Sequence, residues 1–250
     1  MKGWNAATFG DTMPDYDHQD WAVATDEAEA TDFLAGFAKG GRALELGVGT
    51  GRVAIPLARR GVRTTGIEAS AAMVGQLERK LGGGDEVRAV LGDFADVAAV
   101  ARSQAPFDLV YCVHNTFLLL LTQEEQVRCF RGVAEVLAPG GVFVLQVSAP
   151  RAYLLSERQS VHTLDVGLDR TVLLAATHDP VSQRVDRQQV VMTEAGNRLY
   201  PLAYRYVFHA ELDLMGALAG LPLSRRWGGW RGEPFTGAGF HVSVYHKPVG

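Results

Sequence analysis

Cysteine is scarce in this 250-residue chain. It has only Cys112 and Cys129, and Cys112 lies inside an apolar run, so both read as reduced core residues and neither a disulfide framework nor a thiolate metal site is expected. Clustered positive charge is missing as well: no basic run exceeds the pairs Arg59-Arg60 and Arg225-Arg226, and the formal net charge is -4. Affinity for a phosphate backbone comes from clustered cations, so nucleic acid is not expected as a partner. No apolar run approaches the ~20 residues that cross a bilayer. The opening stretch Met1-Lys2-Gly3-Trp4-Asn5 lacks the apolar centre of a signal peptide, so no membrane association is expected and the chain is expected to be cytoplasmic. No grouping of His, Asp and Glu has metal-ligand spacing, and no repeat, low-complexity tract or interdomain linker interrupts the sequence. The composition that remains, 47% hydrophobic and 21% charged, suits one sizeable core, and a single domain over residues 1–250 is expected.

Residues 25 to 39 carry a threonine cap, acids at Asp26, Glu27 and Glu29, and apolar residues at Ala30, Leu34, Phe37 and Ala38 before Gly40-Gly41, which predicts an amphipathic helix. From there short apolar runs alternate with helical patterns. Residues 43–46, 64–67, 87–91, 107–113 and 142–147 read as five strands, and residues 52–60, 71–80, 94–101 and 123–137 as helices, with Pro139-Gly140-Gly141 a turn into the fifth strand. This alternation implies right-handed crossovers and a parallel sheet buried on both faces. After Pro150 the pattern changes to three β-rich runs, 170–177, 184–193 and 198–208, separated by His178-Asp179-Pro180 and Ala195-Gly196-Asn197, which predicts an antiparallel meander. A helix over 211–221 and two runs, 223–230 and 240–246, then return to the main sheet as a strand and an antiparallel edge partner. The expected fold is α/β: a Rossmann-like, seven-stranded, mostly parallel sheet with helices on both faces and an antiparallel β meander inserted after strand five.

The strongest local signal is Ala43-Leu44-Glu45-Leu46-Gly47-Val48-Gly49-Thr50-Gly51-Arg52, a buried strand that runs into three alternate glycines and then a helix. Such glycines let the chain turn sharply and let a ligand lie on bare backbone. Glu68 closes the second strand, where a carboxylate can accept from both hydroxyls of a ribose, and Asp93 follows the third, placed to accept from an adenine amino group. A nicotinamide site would put a third glycine where Arg52 stands, and a phosphate-binding P-loop would need a Gly-Lys-Ser/Thr that is absent. The spacing favours S-adenosylmethionine (SAM).

Through Glu45 to Gly51, Glu68, Gly92-Asp93 and Leu137-Ala138-Pro139-Gly140-Gly141, the sequence resembles the class I SAM-dependent methyltransferases over roughly residues 25–148. The later meander and the endings Trp227-Gly228-Gly229-Trp230 and Val242-Ser243-Val244-Tyr245 look like actinobacterial small-molecule methyltransferases, including amino-sugar N,N-dimethyltransferases. The resemblance implies a SAM-binding core over residues 42–150, an N-terminal lid and helix over 1–41, the insertion over 151–209 and completion of the sheet over 210–250. It places Glu45 near the methionine end of SAM, Gly47, Gly49 and Gly51 beneath it, and Glu68 on the ribose. Ala69 and Met73 fall beside the adenine, and Asp93 with Phe94 at its amino edge. Pro56 departs from the pattern, lies inside the first helix and should kink it or delay its regular start.

Methyl transfer from a sulfonium needs chiefly an aligned nucleophile, and a general base is optional because a deprotonated amine needs none while a hydroxyl usually does. His114 and Asn115 follow the fourth strand, at the end that lines the ligand crevice in an open parallel sheet, and are the candidate catalytic pair, His114 as base beside SAM and Asn115 orienting SAM or substrate. The Asn/Asp-Pro-Pro-aromatic turn of amino-methylating nucleic-acid enzymes and the paired glutamates of protein-arginine enzymes are both absent from this stretch. Tyr16, Asp17, His18 and Trp21 resemble the Tyr-Asp lid that crosses SAM in related enzymes, with Tyr16 a further catalytic candidate and Trp21 a cofactor contact. Tyr153, His162, His178, Tyr200, Tyr204 and His209 are candidate substrate contacts in and beside the insertion. The expected function is methylation of a nitrogen or oxygen on a small-molecule acceptor of natural-product or sugar-like type. SAM cyclisation, a pericyclic reaction on the same fold, or SAM binding without catalysis stand as alternatives. An exposed strand edge in the insertion could pair two copies into a homodimer.

Overall fold

The computed structural model describes residues 1–13, 26–82, 86–150 and 157–249. Helices α1 (Thr8–Thr12) and α2 (Glu27–Ala38) precede β1 (Arg42–Leu46), β2 (Arg63–Glu68), β3 (Val87–Leu91), β4 (Phe107–Cys112) and β5 (Leu137–Ser148). The crossovers between these strands carry α3 (Ala54–Ala58), α4 (Ala71–Lys80), α5 (Val97–Ala101) and α6 (Gln123–Val136). The five strands pair in parallel with β1 central, and the chain ends in β10 (Leu223–Trp227) and β11 (Phe240–His246) on the same sheet. The sheet is seven-stranded, as expected, and its order is β10-β11-β5-β4-β1-β2-β3.

Alternation along the strands divides the core between two faces. Leu44, Leu46, Val110, Cys112, Phe143 and Leu145 pack with Cys129, Phe130 and Val133 of α6. Ala43, Leu109, Tyr111, Val142 and Val144 pack with Ala30, Leu34 and Ala38 of α2 and with Trp230. Both cysteines are free and buried among these side chains.

Several expectations shift. The threonine expected to start α2 lies outside the described residues; Asp26 occupies the capping position, yet its carboxylate accepts no hydrogen bond from the helix. Regular α3 begins two residues later than the sequence pattern and keeps Pro56 in its first turn, where a missing amide costs no helical hydrogen bond. The helix expected over 94–101 splits into a 3-10 turn, Phe94–Asp96, and α5. The Pro139-Gly140-Gly141 turn is absorbed into β5: Leu137 faces Phe107 and Val142 faces Leu109, so the extra residues form a bulge, pinned where the Gly140 amide donates to the Lys247 carbonyl at 3.0 Å. The last strand is not at the sheet edge. Residues 241–245 of β11 are buried and need neighbours on both sides, β5 and β10, so the edge falls to β10.

The insertion has four strands rather than three: β6 (Gln159–Val166), β7 (Arg170–Asp179), β8 (Arg184–Thr193) and β9 (Gly196–Arg205), paired antiparallel in that order, followed by α7 (His209–Leu218). Every residue of the edge strand β6 but one is exposed, so no buried face imposed an apolar alternation on its sequence. No helix among the described residues is long and apolar enough to cross a membrane.

Candidate active site

The carboxyl ends of β1, β2 and β4 open onto one cavity, closed on the opposite side by α1. After β1 the chain turns through Gly47 (φ 73°) and Gly49 (φ 54°), left-handed conformations that a side chain would strain. A Cβ on Gly47 would come within 2.3 Å of Thr116, whereas none on Gly49 would meet a protein atom within 4 Å, so bare backbone forms the cavity floor there. Glu68, at the end of β2, holds this loop in place: its two carboxylate oxygens accept from the amides of Gly49 and Ser70, each at 2.9 Å. Burial nonetheless pushes the Glu68 carboxyl above its ordinary range, against the lowering effect of these bonds.

Glu45 on β1 is buried in the same wall and accepts from the Tyr111 hydroxyl at 3.0 Å. Burial raises its carboxyl to about 8; bonds from Tyr111 and the Ala54 amide oppose the shift, neighbouring Glu68 adds to it, and Arg52 offsets part of it. Arg52 also lines the cavity, with Nε 2.6 Å from Glu27 Oε1.

Two consecutive non-glycine residues past β4, His114 (φ 55°) and Asn115 (φ 65°), adopt left-handed backbone, which costs about 1–3 kcal/mol each and persists only where the surroundings over-determine it. The fixing bonds come from β5. The His114 amide donates to Gln146 Oε1 at 2.8 Å, Asn115 Nδ2 donates to Ser148 Oγ at 3.0 Å, and the Ser148 amide donates back to Asn115 Oδ1 at 2.7 Å. His114 lines the cavity while its Nε2 is buried 3.4 Å from Asp26 Oδ1, ion-pair reach rather than a short hydrogen bond. Asp26 Oδ2 accepts from Gln146 Nε2 at 2.9 Å and from Trp230 Nε1 at 2.7 Å. Its carboxyl is lowered to about 2, first by His114 and then, against partial burial, by Gln146 and Trp230.

A bare glycine floor, a strand-end carboxylate and a buried carboxyl in one cavity fit a nucleoside joined to a small cation. The Methyltransferase domain family matches residues 43–141. The cypemycin N-terminal methyltransferase of Streptomyces sp is 33% identical over 195 residues, 77% of this chain and 77% of that protein. The chain belongs to the class I SAM-dependent methyltransferases. The CcbJ methyltransferase from Streptomyces caelestis is 37% identical with a TM-score of 0.91, covering 98% of this chain and 100% of that one. SAM-bound CalS10, an amino pentose methyltransferase from Micromonospora echinaspora, shares the fold at 24% identity and TM-score 0.65, covering 92% of this chain and 93% of that one.

In this methyltransferase the cavity wall gathers Glu45, Gly47, Gly49 and Glu68 with Ala69, Met73, Phe94 and His114, all expected from the sequence. Gly51 is outside the lining, and a Cβ on it would meet Ile55 and Leu77. Asp93 stands outside the lining, with Oδ1 accepting from the Ala95 amide at 2.8 Å as the cap of the turn that carries Phe94. The Asn115 amide is engaged by Ser148 and ties the ends of β4 and β5 together. Tyr16, Asp17, His18, Trp21 and Tyr153 lie outside the described residues. The other aromatic candidates are absent from the cavity wall. Among them, His162 is exposed on β6, His178 Nε2 lies 3.1 Å from the Tyr206 hydroxyl, Tyr200 packs with Met13 and Met73, Tyr204 joins the main core and His209 meets Phe235 edge to face. Sequence reasoning missed Ala6, Phe9 and Gly10 of the α1 segment, and also Arg52, Thr116 and Leu119. Of these, only Arg52 carried a signal, since it directly follows the glycine loop.

Proposed function

We propose that this methyltransferase places a methyl group on the nitrogen of a small amine-bearing molecule. The observation that carries the reading is the pair of carboxyls, Glu45 and Glu68, on the cavity wall, which suit an acceptor that arrives as ammonium better than a neutral hydroxyl, with His114 at the carboxyl end of β4 to take its proton. The name of the cypemycin N-terminal methyltransferase, at 33% identity, places that protein's methyl group on an amino terminus and supports nitrogen over oxygen. Bound SAM supplies a methyl carbon on a positively charged sulfur that departs as a neutral thioether. The chain's part is to align the acceptor, which can account for ~7–11 kcal/mol of the barrier, and to accept the proton that an amine carries at neutral pH. Burial raises both carboxyls, and a cationic cofactor or an ammonium seated against them favours their charged forms.

The test is to incubate the protein with SAM and a panel of primary and secondary amines paired with hydroxyl counterparts, quantifying S-adenosylhomocysteine and methylated product by mass spectrometry. Turnover with amines is expected. Methylated product from hydroxyl acceptors alone would overturn the nitrogen assignment.

A further inference from the structure

We propose that Asp26 is a positioning residue that, together with Gln146 and Trp230, turns His114 into the proton acceptor for the incoming nucleophile. The inference rests on the reading of this cavity as a methyl-transfer site whose acceptor arrives as ammonium.

Asp26 stands where an aspartate ordinarily caps a helix, yet its carboxylate accepts nothing from the amides of α2. It turns instead toward three side chains contributed by three other parts of the chain: His114 after β4, Gln146 in β5 and Trp230 after β10. Gln146 and Trp230 both donate to Oδ2, which leaves Oδ1 to face the ring. The Gln146 side chain also accepts the His114 amide, so one side chain fixes both the carboxylate and the backbone that carries the imidazole. That backbone is the left-handed segment described above, and its strain is matched by a ring held in one orientation.

The orientation assigns the two ring nitrogens. Nε2 is buried toward Asp26 and the ring borders the cavity, so Nδ1 is the nitrogen left for the acceptor. In the neutral ring the carboxylate favours the proton on Nε2, which leaves the lone pair on Nδ1. A proton then passes from the acceptor's ammonium to Nδ1, and the imidazolium so formed is stabilised by Asp26. The freed amine lone pair forms the new N–C bond with the methyl carbon as the C–S bond breaks and its electron pair stays on sulfur. The methylated ammonium leaves with the positive charge, and the imidazolium returns its proton to solvent. The other charged groups on this cavity are Glu45 on β1, Glu68 at the end of β2, and Arg52 before α3, the last paired with Glu27. Among the described residues, Asp26 is the carboxylate that reaches the ring.

The variants to compare are Asp26→Asn, which keeps an acceptor oxygen for Gln146 and Trp230 but removes the charge, and His114→Ala, each assayed with a methylated amine under saturating SAM. Asp26→Asn is expected to lower kcat ten- to a hundredfold with SAM affinity within threefold of wild type, and to move the acidic limb of the kcat profile to lower pH. His114→Ala is expected to abolish that limb. A limb that stays in place in Asp26→Asn would reduce Asp26 to packing, and a limb that survives in His114→Ala would remove the base itself; either overturns the proposal. Should Asp26→Asn fail to fold, Asp26→Glu decides. It keeps the charge but alters the reach, so it should lose at least threefold in kcat, and wild-type turnover would end the positioning role. A wild-type protein that methylates no amine at all overturns the acceptor reading instead, before any variant is compared.

Discussion

The Glu45 carboxyl lies inside the cavity wall, with its hydrogen bonds supplied by Tyr111 and the Ala54 amide and its carboxyl raised to about 8. At neutral pH it therefore holds its proton in the SAM-free protein. A sulfonium or ammonium group seated against it favours the charged form, so SAM binding should expel a proton. The sign follows: SAM affinity rises with pH up to about 8 and levels off above it. Below that point the slope approaches tenfold per pH unit. Calorimetry of SAM binding between pH 6 and 9, in buffers of different ionisation heat, measures both slope and proton release, and Glu45→Gln should flatten both. A pH-independent affinity in the wild type would separate Glu45 from the bound cation. Stability of the SAM-free protein follows the same linkage. The raised carboxyl contributes fully below its ordinary 4.5, and the contribution is lost as pH rises through about 8.

Most of the cavity residues that could be read from the sequence sit at or just past a strand end, where an apolar run gives way to a short polar or glycine-rich stretch. Glu45, Gly49, Glu68 and His114 are local in this sense. Asp26 is not, because its partners Gln146 and Trp230 are 120 and 204 residues away along the chain, and only the folded sheet brings them together.

At the scale of the element, α1 shows the same limit. Its five residues are too few for a helical period, and its role depends on a close approach that only tertiary structure reveals. Gly10 packs on the start of α4 so tightly that a Cβ would fall 2.4 Å from Ser70 Cβ and 2.8 Å from Met73 Cγ. Ser70 joins the two helices: it caps α4 by accepting the Met73 amide at 3.2 Å and donates to Asp11 Oδ1 at 2.7 Å. Helices with strong local signals came through intact, among them α4 and also α6, whose capping box of Thr122 and Glu125 marks its start. If α1 covers the bound cofactor, Gly10→Val must lift it from α4, because the Ser70 Cβ it would meet is tied directly to the helix backbone and cannot retreat. The expected result is SAM affinity at least tenfold weaker, carried mainly by faster dissociation in stopped-flow measurements, with little change in the melting temperature of the SAM-free protein. Wild-type dissociation in Gly10→Val would show that α1 does not retain the cofactor.

For the whole molecule, the question is whether the four-stranded sheet is a module of its own or part of the domain that holds SAM. Val185, Tyr204, Tyr206 and Val207, in or just after the insertion, share one apolar cluster with Phe117, Phe130, Phe143 and Tyr245 of the main fold. Arg205, at the end of β9, is buried beside that cluster and donates to Gln126 of α6 at 2.5 Å, to Gln183 before β8 at 3.0 Å and to Glu211 of α7 at 2.7 Å. Burial alone would raise the Glu211 carboxyl, but donors from Gln183, Arg205 and Gln123 bring it below its ordinary value, so it is charged and depends on the guanidinium. Arg205 is buried and Glu211 half-buried, so removing the guanidinium leaves a partly uncompensated charge, at a cost of up to about 3–5 kcal/mol. We therefore predict that the protein unfolds in a single calorimetric transition and that Arg205→Ala lowers the stability of both sheets together by up to that amount. The double variant Arg205→Met/Glu211→Leu should recover most of the loss, because it removes both charges and keeps the volume. Two resolved transitions, or an Arg205→Ala change within about 0.5 kcal/mol, would mean that the insertion folds on its own and that SAM binding proceeds without its support.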